Sequence, residues 1–166
     1  MANMIPISTV TVGSGGSASV SFLNIPQTYT DLVIKMSART SRSAVYGEMY
    51  MRFNESTTNY ASRALESSGS SAGSYSESTI RVEFNGDTST ANIFGNAEWY
   101  IPNYTSFNFK SVNLESVTEN TSASVDSFLK SHLWSNTSPI NSISIGFGTG
   151  TISQHSTFTL YGIRKY

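Results

Sequence analysis

The segment Leu32-Val33-Ile34-Lys35-Met36-Ser37-Ala38-Arg39 decides the fold. Leu32, Ile34, Met36 and Ala38 share one side of an extended chain, and Lys35, Ser37 and Arg39 share the other. A period of two marks a strand that is buried on one face and wet on the other. Working outward, the same alternation recurs. Val10 and Val12 oppose Thr9 and Thr11, and Ala18, Val20 and Phe22 oppose Ser19 and Ser21. Met49, Met51 and Phe53 oppose Glu48, Tyr50 and Arg52, while Ile80, Val82 and Phe84 oppose Arg81 and Glu83. Gly13 to Gly16, Pro26 and Asn85-Gly86 punctuate these runs as turns and strand ends. Further strands read at 93–101, 107–114, 143–147 and 158–163.

The expectation is an all-β protein: one antiparallel β-sandwich over residues 1–166, of about eight to ten strands, with the jelly roll as the favoured topology. One stretch reads two ways. Val125, Phe128, Leu129, His132 and Leu133 follow the spacing of a helix, so 125–134 is either a short helix or a strand. The tract Ser67 to Ser78 (SSGSSAGSYSES) reads as a loop by composition.

Composition narrows function. The 166 residues include 31 Ser, 18 Thr and 13 Asn, only 13% are charged, and the formal net charge is −1. Such a chain lacks the cationic field that nucleic acid binding requires. No apolar run reaches the roughly 18 residues of a membrane span. With no cysteine there are no disulfides, thiolate metal sites or cysteine nucleophiles. The N-terminus carries no secretory signal. The four Asn-X-Ser/Thr triplets, at Asn54, Asn103, Asn120 and Asn136, are what chance yields in this composition.

The motifs of chemistry fail on context. Gly69-Ser70-Ser71-Ala72-Gly73 matches the nucleophile-elbow pattern, with Asp87 or Asp126 and then His132 or His155 following in hydrolase order. An elbow needs a buried strand before the serine and a helix after it, and neither pattern is present. His132 and His155 are too few for a three-histidine metal site. Asn85 and Asp87 lack the spacing of a calcium loop. Gly146, Gly148 and Gly150 precede no helix, so they do not form a phosphate loop. Glycoside hydrolysis would need paired carboxylates about 5 to 10 Å apart. Glu98 and Glu115 lie on candidate strands, but sequence does not bring them together. The expectation is a non-enzyme without cofactor or metal.

What remains is aromatic. Tyr50 and Tyr100 fall on the wet side of their strands, and Tyr46, Tyr75 and Tyr104 lie in or beside loops. Tyrosine outside a core suits interfaces and sugar stacking, because it buries a large ring and keeps a polar tip. Covering a second sheet face is the alternative. Segment 1–7, apolar and containing Pro6, is either a contact arm or an ordinary first strand. The candidate interface residues are therefore Met4, Ile5, Tyr46, Tyr50, Tyr75, Tyr100 and Tyr104.

Four strings carry a resemblance: Ile25-Pro26-Gln27-Thr28-Tyr29-Thr30-Asp31-Leu32-Val33; Met51-Arg52-Phe53-Asn54 with Asn59-Tyr60; Tyr100-Ile101-Pro102-Asn103-Tyr104; and Ser156-Thr157-Phe158-Thr159-Leu160-Tyr161-Gly162-Ile163. Together they resemble the small jelly-roll-like virion structural proteins of tailed bacteriophages. The resemblance implies a capsid decoration (cement) protein, made in the host cytoplasm and placed on the outer head surface. It would cluster as a homotrimer and bridge subunits of the major capsid protein. The same family includes tail-fibre and receptor-binding heads, which implies a host glycan or receptor as the other partner, bound by loops 41–46 and 67–78. None of the strings is catalytic. They read as strand starts, turns and core positions.

Overall fold

The computed structural model describes residues 3–118, 126–146 and 150–164. In chain order its strands are β1 (Asn3–Thr11), β2 (Ser19–Phe22), β3 (Asp31–Ala38), β4 (Tyr46–Phe53), β5 (Tyr60–Ser68) and β6 (Ser71–Glu77). They continue with β7 (Ile80–Asn85), β8 (Gly95–Ile101), β9 (Lys110–Thr118), β10 (Asp126–Trp134), β11 (Ile143–Gly146) and β12 (Thr157–Arg164). One sheet runs β1-β12-β3-β8-β9-β10-β5-β6 and the other β2-β11-β4-β7, with antiparallel neighbours throughout.

Eight of these strands have the jelly-roll order. Strands β1-β12-β3-β8 lie in one sheet and β2-β11-β4-β7 in the other. The remaining four form two hairpins, β5–β6 inserted between β4 and β7, and β9–β10 inserted between β8 and β11. Both hairpins extend the larger sheet beyond β8. The strand count therefore exceeds the eight to ten read from sequence. The tract 67–78 is no loop. It closes the β5–β6 hairpin, with Gly69 at a positive φ in the turn.

The two-way segment is resolved as a strand: 126–134 is β10, paired with β5 on one side and β9 on the other. Its helical spacing arises because both faces carry apolar residues. Phe128 and Trp134 point inward and are buried, while Leu129 and Leu133 point outward and are exposed. Asn3 to Ile7 is the first part of β1, hydrogen-bonded to β12, rather than a free arm. Met1, Ala2, Asn120, Val125, Phe147 and Gly148 lie outside the described residues.

The core sits between the sheets where the alternation predicts it. Leu32, Ile34 and Met36 of β3, Trp99 of β8 and Leu160 of β12 face Met49, Met51, Val82, Phe84 and Ile145 of the smaller sheet. Asparagine closes many of the turns. Of seven non-glycine residues with positive φ among the described ones, five are Asn: Asn24, Asn54, Asn59, Asn92 and Asn103. Its short amide tolerates the left-handed region better than other side chains do.

Candidate functional site

The resembling strings meet at one end of the sandwich. The buried carboxylate of Asp31 accepts a hydrogen bond from the Tyr100 hydroxyl at 2.7 Å and another from the Asn103 backbone N–H at 3.0 Å. The Tyr104 hydroxyl donates to the Pro26 carbonyl, and the Ile140 N–H donates to the Tyr104 carbonyl. Tyr60 donates to Ser56 O and accepts from Phe53 N, while the Asn54 side chain bonds Pro139, Asn141 and Ser142. The Tyr29 ring lies over Gly162, where a side chain would collide with it. These residues tie loops 23–30, 54–59, 102–109 and 135–142 together. On the same end, Leu23 is 66% exposed, Phe107 80% and Phe109 57%.

A second feature lies at the opposite end, where the β5–β6 hairpin closes over β7. A cleft of about 290 Å³ is lined by Tyr46, Tyr75, Ser67, Ser68, Arg81 and a ring of carboxylates, Glu48, Glu66, Glu83 and Asp126. Its floor is a charge network. The buried Lys130 ammonium donates to both oxygens of Glu83 at 2.8 Å, and Arg81 pairs with Glu48 at 2.5 Å, with Glu83 at 3.2 Å and with Glu77. Lys130 also lies 5.4 Å from the centre of the Tyr75 ring. Burial, with Glu83 adding to it, raises the Tyr75 hydroxyl pKa above the usual phenol range. Tyr50 is raised as well, first by burial and then by its hydrogen bond to Glu48. Burial also raises Glu77, against the pull of Lys130 and Arg81.

His132 lies beside this network and is buried. Ser62 donates to the Thr79 carbonyl at 2.5 Å and so accepts the Nδ1 hydrogen of His132 at 2.6 Å, leaving Nε2 without a partner among the described residues. Burial, and then the nearby Lys130 charge, push the imidazole down to about 3. The pair lacks the geometry of a hydrolytic dyad: the serine hydrogen is committed to a carbonyl, and no carboxylate among the described residues orients the ring. Ser70, the serine of the elbow-like motif, sits in the β5–β6 turn. Among the described residues no group of three or more His, Asp and Glu is arranged to hold a metal ion, and no helix is long and apolar enough to cross a membrane.

The candidate interface residues do not form one patch. Tyr46 and Tyr75 share the cleft, with Tyr50 joined to its edge through Glu48. Met4 and Ile5 lie on the edge strand β1, and Tyr100 is bound to Asp31 at the other end. Tyr104 is corrected outright: it is fully buried and belongs to the core. Sequence reasoning missed two things. Glu98 and Glu115 are register partners on the outer face of β8 and β9. They line a groove of about 520 Å³ with Leu65, Leu129 and Glu66, and Glu98 also pairs with Lys35 at 3.1 Å. Both carboxylates are exposed, so neither has the apolar enclosure of a glycosidase general acid. The exposed phenylalanines were also missed. Phe107 was read into a strand, yet it precedes β9 and stands in solvent.

The fold is an antiparallel jelly-roll sandwich with two inserted hairpins. Comparison with protein-family models, with curated proteins and with solved structures returns no match.

Proposed function

We propose that this chain is a virion structural protein of a tailed bacteriophage, a capsid decoration protein that binds the outer head surface. It would act by bridging neighbouring major-capsid subunits, adding buried interface at their junctions and so resisting the pressure of packaged DNA. The observation that carries the reading is the end of the sandwich where the four resembling strings interlock. Hydrogen bonds to the Asp31 and Asn54 side chains and from the Tyr104 hydroxyl tie its loops together, while Leu23, Phe107 and Phe109 project from them. Rigid display of apolar side chains lowers the ordering cost of binding. The near-neutral charge leaves little self-repulsion to oppose packing on a lattice.

The test is reconstitution on heads stripped of surface proteins. Wild-type protein should saturate the heads and raise their resistance to heat and low salt. The double variant F107S/F109S should bind at least about tenfold more weakly. Absence of wild-type binding overturns the reading.

A second reading, a receptor- or carbohydrate-binding head, is favoured by the cleft. Two tyrosines and several carboxylates converge there, the pairing of stacking face and hydrogen-bond acceptors that suits a sugar. Binding of glycans to wild type, lost in Tyr46→Ala, would move the assignment to this alternative.

A further inference from the structure

The larger sheet carries an outward face that no other described residue covers, and on β10 its pattern is partly inverted. Strand β10 buries Lys130 and His132 while exposing Leu129 (50%) and Leu133 (38%), and Leu65 on β5 is 58% exposed. Leu65 and Leu129 are register partners, and Leu133 faces Ala61. An exposed leucine by itself needs no explanation. Three on adjacent strands, on the face opposite the buried Lys130 and the neutral His132, form an apolar stripe.

The charges flanking that stripe are ordered. Arg63 stands on the β5 side, held among the described residues by the Ser76 hydroxyl of β6. Glu115 and Glu98 stand opposite each other on β9 and β8 at the far side, and Glu115 has no hydrogen bond or ion pair among the described residues. Like charges directly across a sheet destabilise it unless something neutralises them, and here Lys35 of β3 pairs with Glu98 at 3.1 Å but leaves Glu115 without a cation among the described residues. The face thus reads cation, leucine stripe, anions from β5 to β8.

We propose that this face docks onto a second copy of the same chain. The contact is isologous, about a two-fold axis running along β10. Facing sheets pack about 10 Å apart with nearly aligned strands. About that axis β10 meets β10, so Leu129 and Leu133 meet their own counterparts. Strand β5 of one copy lies over β9 of the other, and β6 lies over β8. Arg63 is level with Asn113, two residues from Glu115, a separation of about 7 Å along the strand that an extended arginine spans. The Ser74 and Ser76 hydroxyls of β6 come to rest over the Glu98 side. Arg63 of each copy supplies a cation toward Glu115 of the other, the carboxylate that Lys35 leaves unpaired, and both leucine stripes leave water together. A two-fold contact uses one patch twice, which an ordered cation-to-anion gradient satisfies. The inference goes beyond the virion reading and does not depend on it.

Sedimentation equilibrium of the purified chain tests the proposal. Wild type should form reversible dimers of the 18.0 kDa chain. Association should be evident by about 100 µM. Leu129→Glu and the milder Leu129→Thr should each weaken association by at least about tenfold while keeping the β-type circular dichroism spectrum. Arg63→Glu and Glu115→Arg should each weaken it, and the double reversal R63E/E115R should restore it. A wild type that stays monomeric at that concentration overturns the proposal. So does a dimer or trimer that both Leu129 variants leave intact, or a double reversal no better than either single one.

Discussion

The jelly-roll frame and the two inserted hairpins solve the same problem in opposite ways. Strand β3 of the frame follows the simple rule: Leu32, Ile34, Met36 and Ala38 are buried, and Lys35 and Ser37 face water. Strand β10 of the insertions breaks that rule in its middle, with Lys130 and His132 inside between the buried Phe128 and Trp134, and Leu129 and Leu133 outside. Among the described residues, six of the thirteen buried polar ones, Ser62, Lys110, Ser116, Thr118, Lys130 and His132, lie on β5, β9 and β10. The difference follows from what lies opposite. Strand β3 has a sheet of apolar side chains to pack against, whereas the inserted strands curl over β7, which offers Arg81 and Glu83. Paired charges close that side of the sandwich where apolar residues close the rest.

The comparison breaks most sharply at the buried ion pair. Glu83→Ala leaves the Lys130 ammonium buried among the rings of Tyr75 and Phe128. Urea unfolding should show a loss of about 3–5 kcal/mol, most of it recovered in the double variant E83L/K130M. If the double variant is as unstable as the single, the pair is more than a substitute for apolar packing.

Next in size is the response to acid. Unfolded His132 takes up a proton near its ordinary value of 6.5 and the folded residue only near 3, so protons favour the unfolded chain across that window. Its contribution to stability is intact above pH 6.5 and falls by up to about 1.4 kcal/mol per pH unit below it. His132→Asn keeps a donor toward Ser62 and should flatten the stability curve between pH 6 and pH 4, read by urea titrations at each pH. An unchanged curve would place the acid sensitivity in the carboxylates.

Within the frame, Gly162→Ala should cost about 1–3 kcal/mol, because the new methyl must displace the Tyr29 ring. Thermal melting reads this directly, and Tyr29→Ala should relieve part of it. The smallest effect is expected on the outer face of the insertions. Leu129→Thr should change monomer stability by no more than about 0.5 kcal/mol, measured at a dilution where no association occurs.

Legibility followed the same division. In the frame the alternation of β2, β3, β4 and β7 placed the core, because every inward residue there is apolar. Inserted strands β5 and β6 were unreadable by that signal. Their faces are set by serine, alanine and glycine, and hydroxyls on both sides carry no period. Strand β10 gave a false helical spacing because apolar residues occupy both faces. The site was harder still. Tyr46 and Tyr75 lie 29 positions apart, and the hairpin that unites them was itself invisible. Glu98 and Glu115 lie 17 positions apart and meet only through the register of β8 and β9. Tyr104 looked like a loop residue because its burial depends on Pro26, far away in sequence. A clue was available in Lys130, whose neighbours Leu129 and Leu133 put a charge on the face opposite two leucines.

One pairing described above also bears on how the molecule would answer to force. In the β1–β12 pair, Asn3 faces Arg164 and Thr11 faces Thr157, so the outer ends of both strands lie side by side. Tension applied across those two ends loads the ladder one rung at a time, like a zipper, instead of shearing all rungs at once. Strand β1, already loosened by Pro6 and the irregularity before Ser8, would peel away first, while β12 stays paired to β3. The sandwich thus has a line along which a partner gripping β1 would detach it while β12 keeps its ladder to β3.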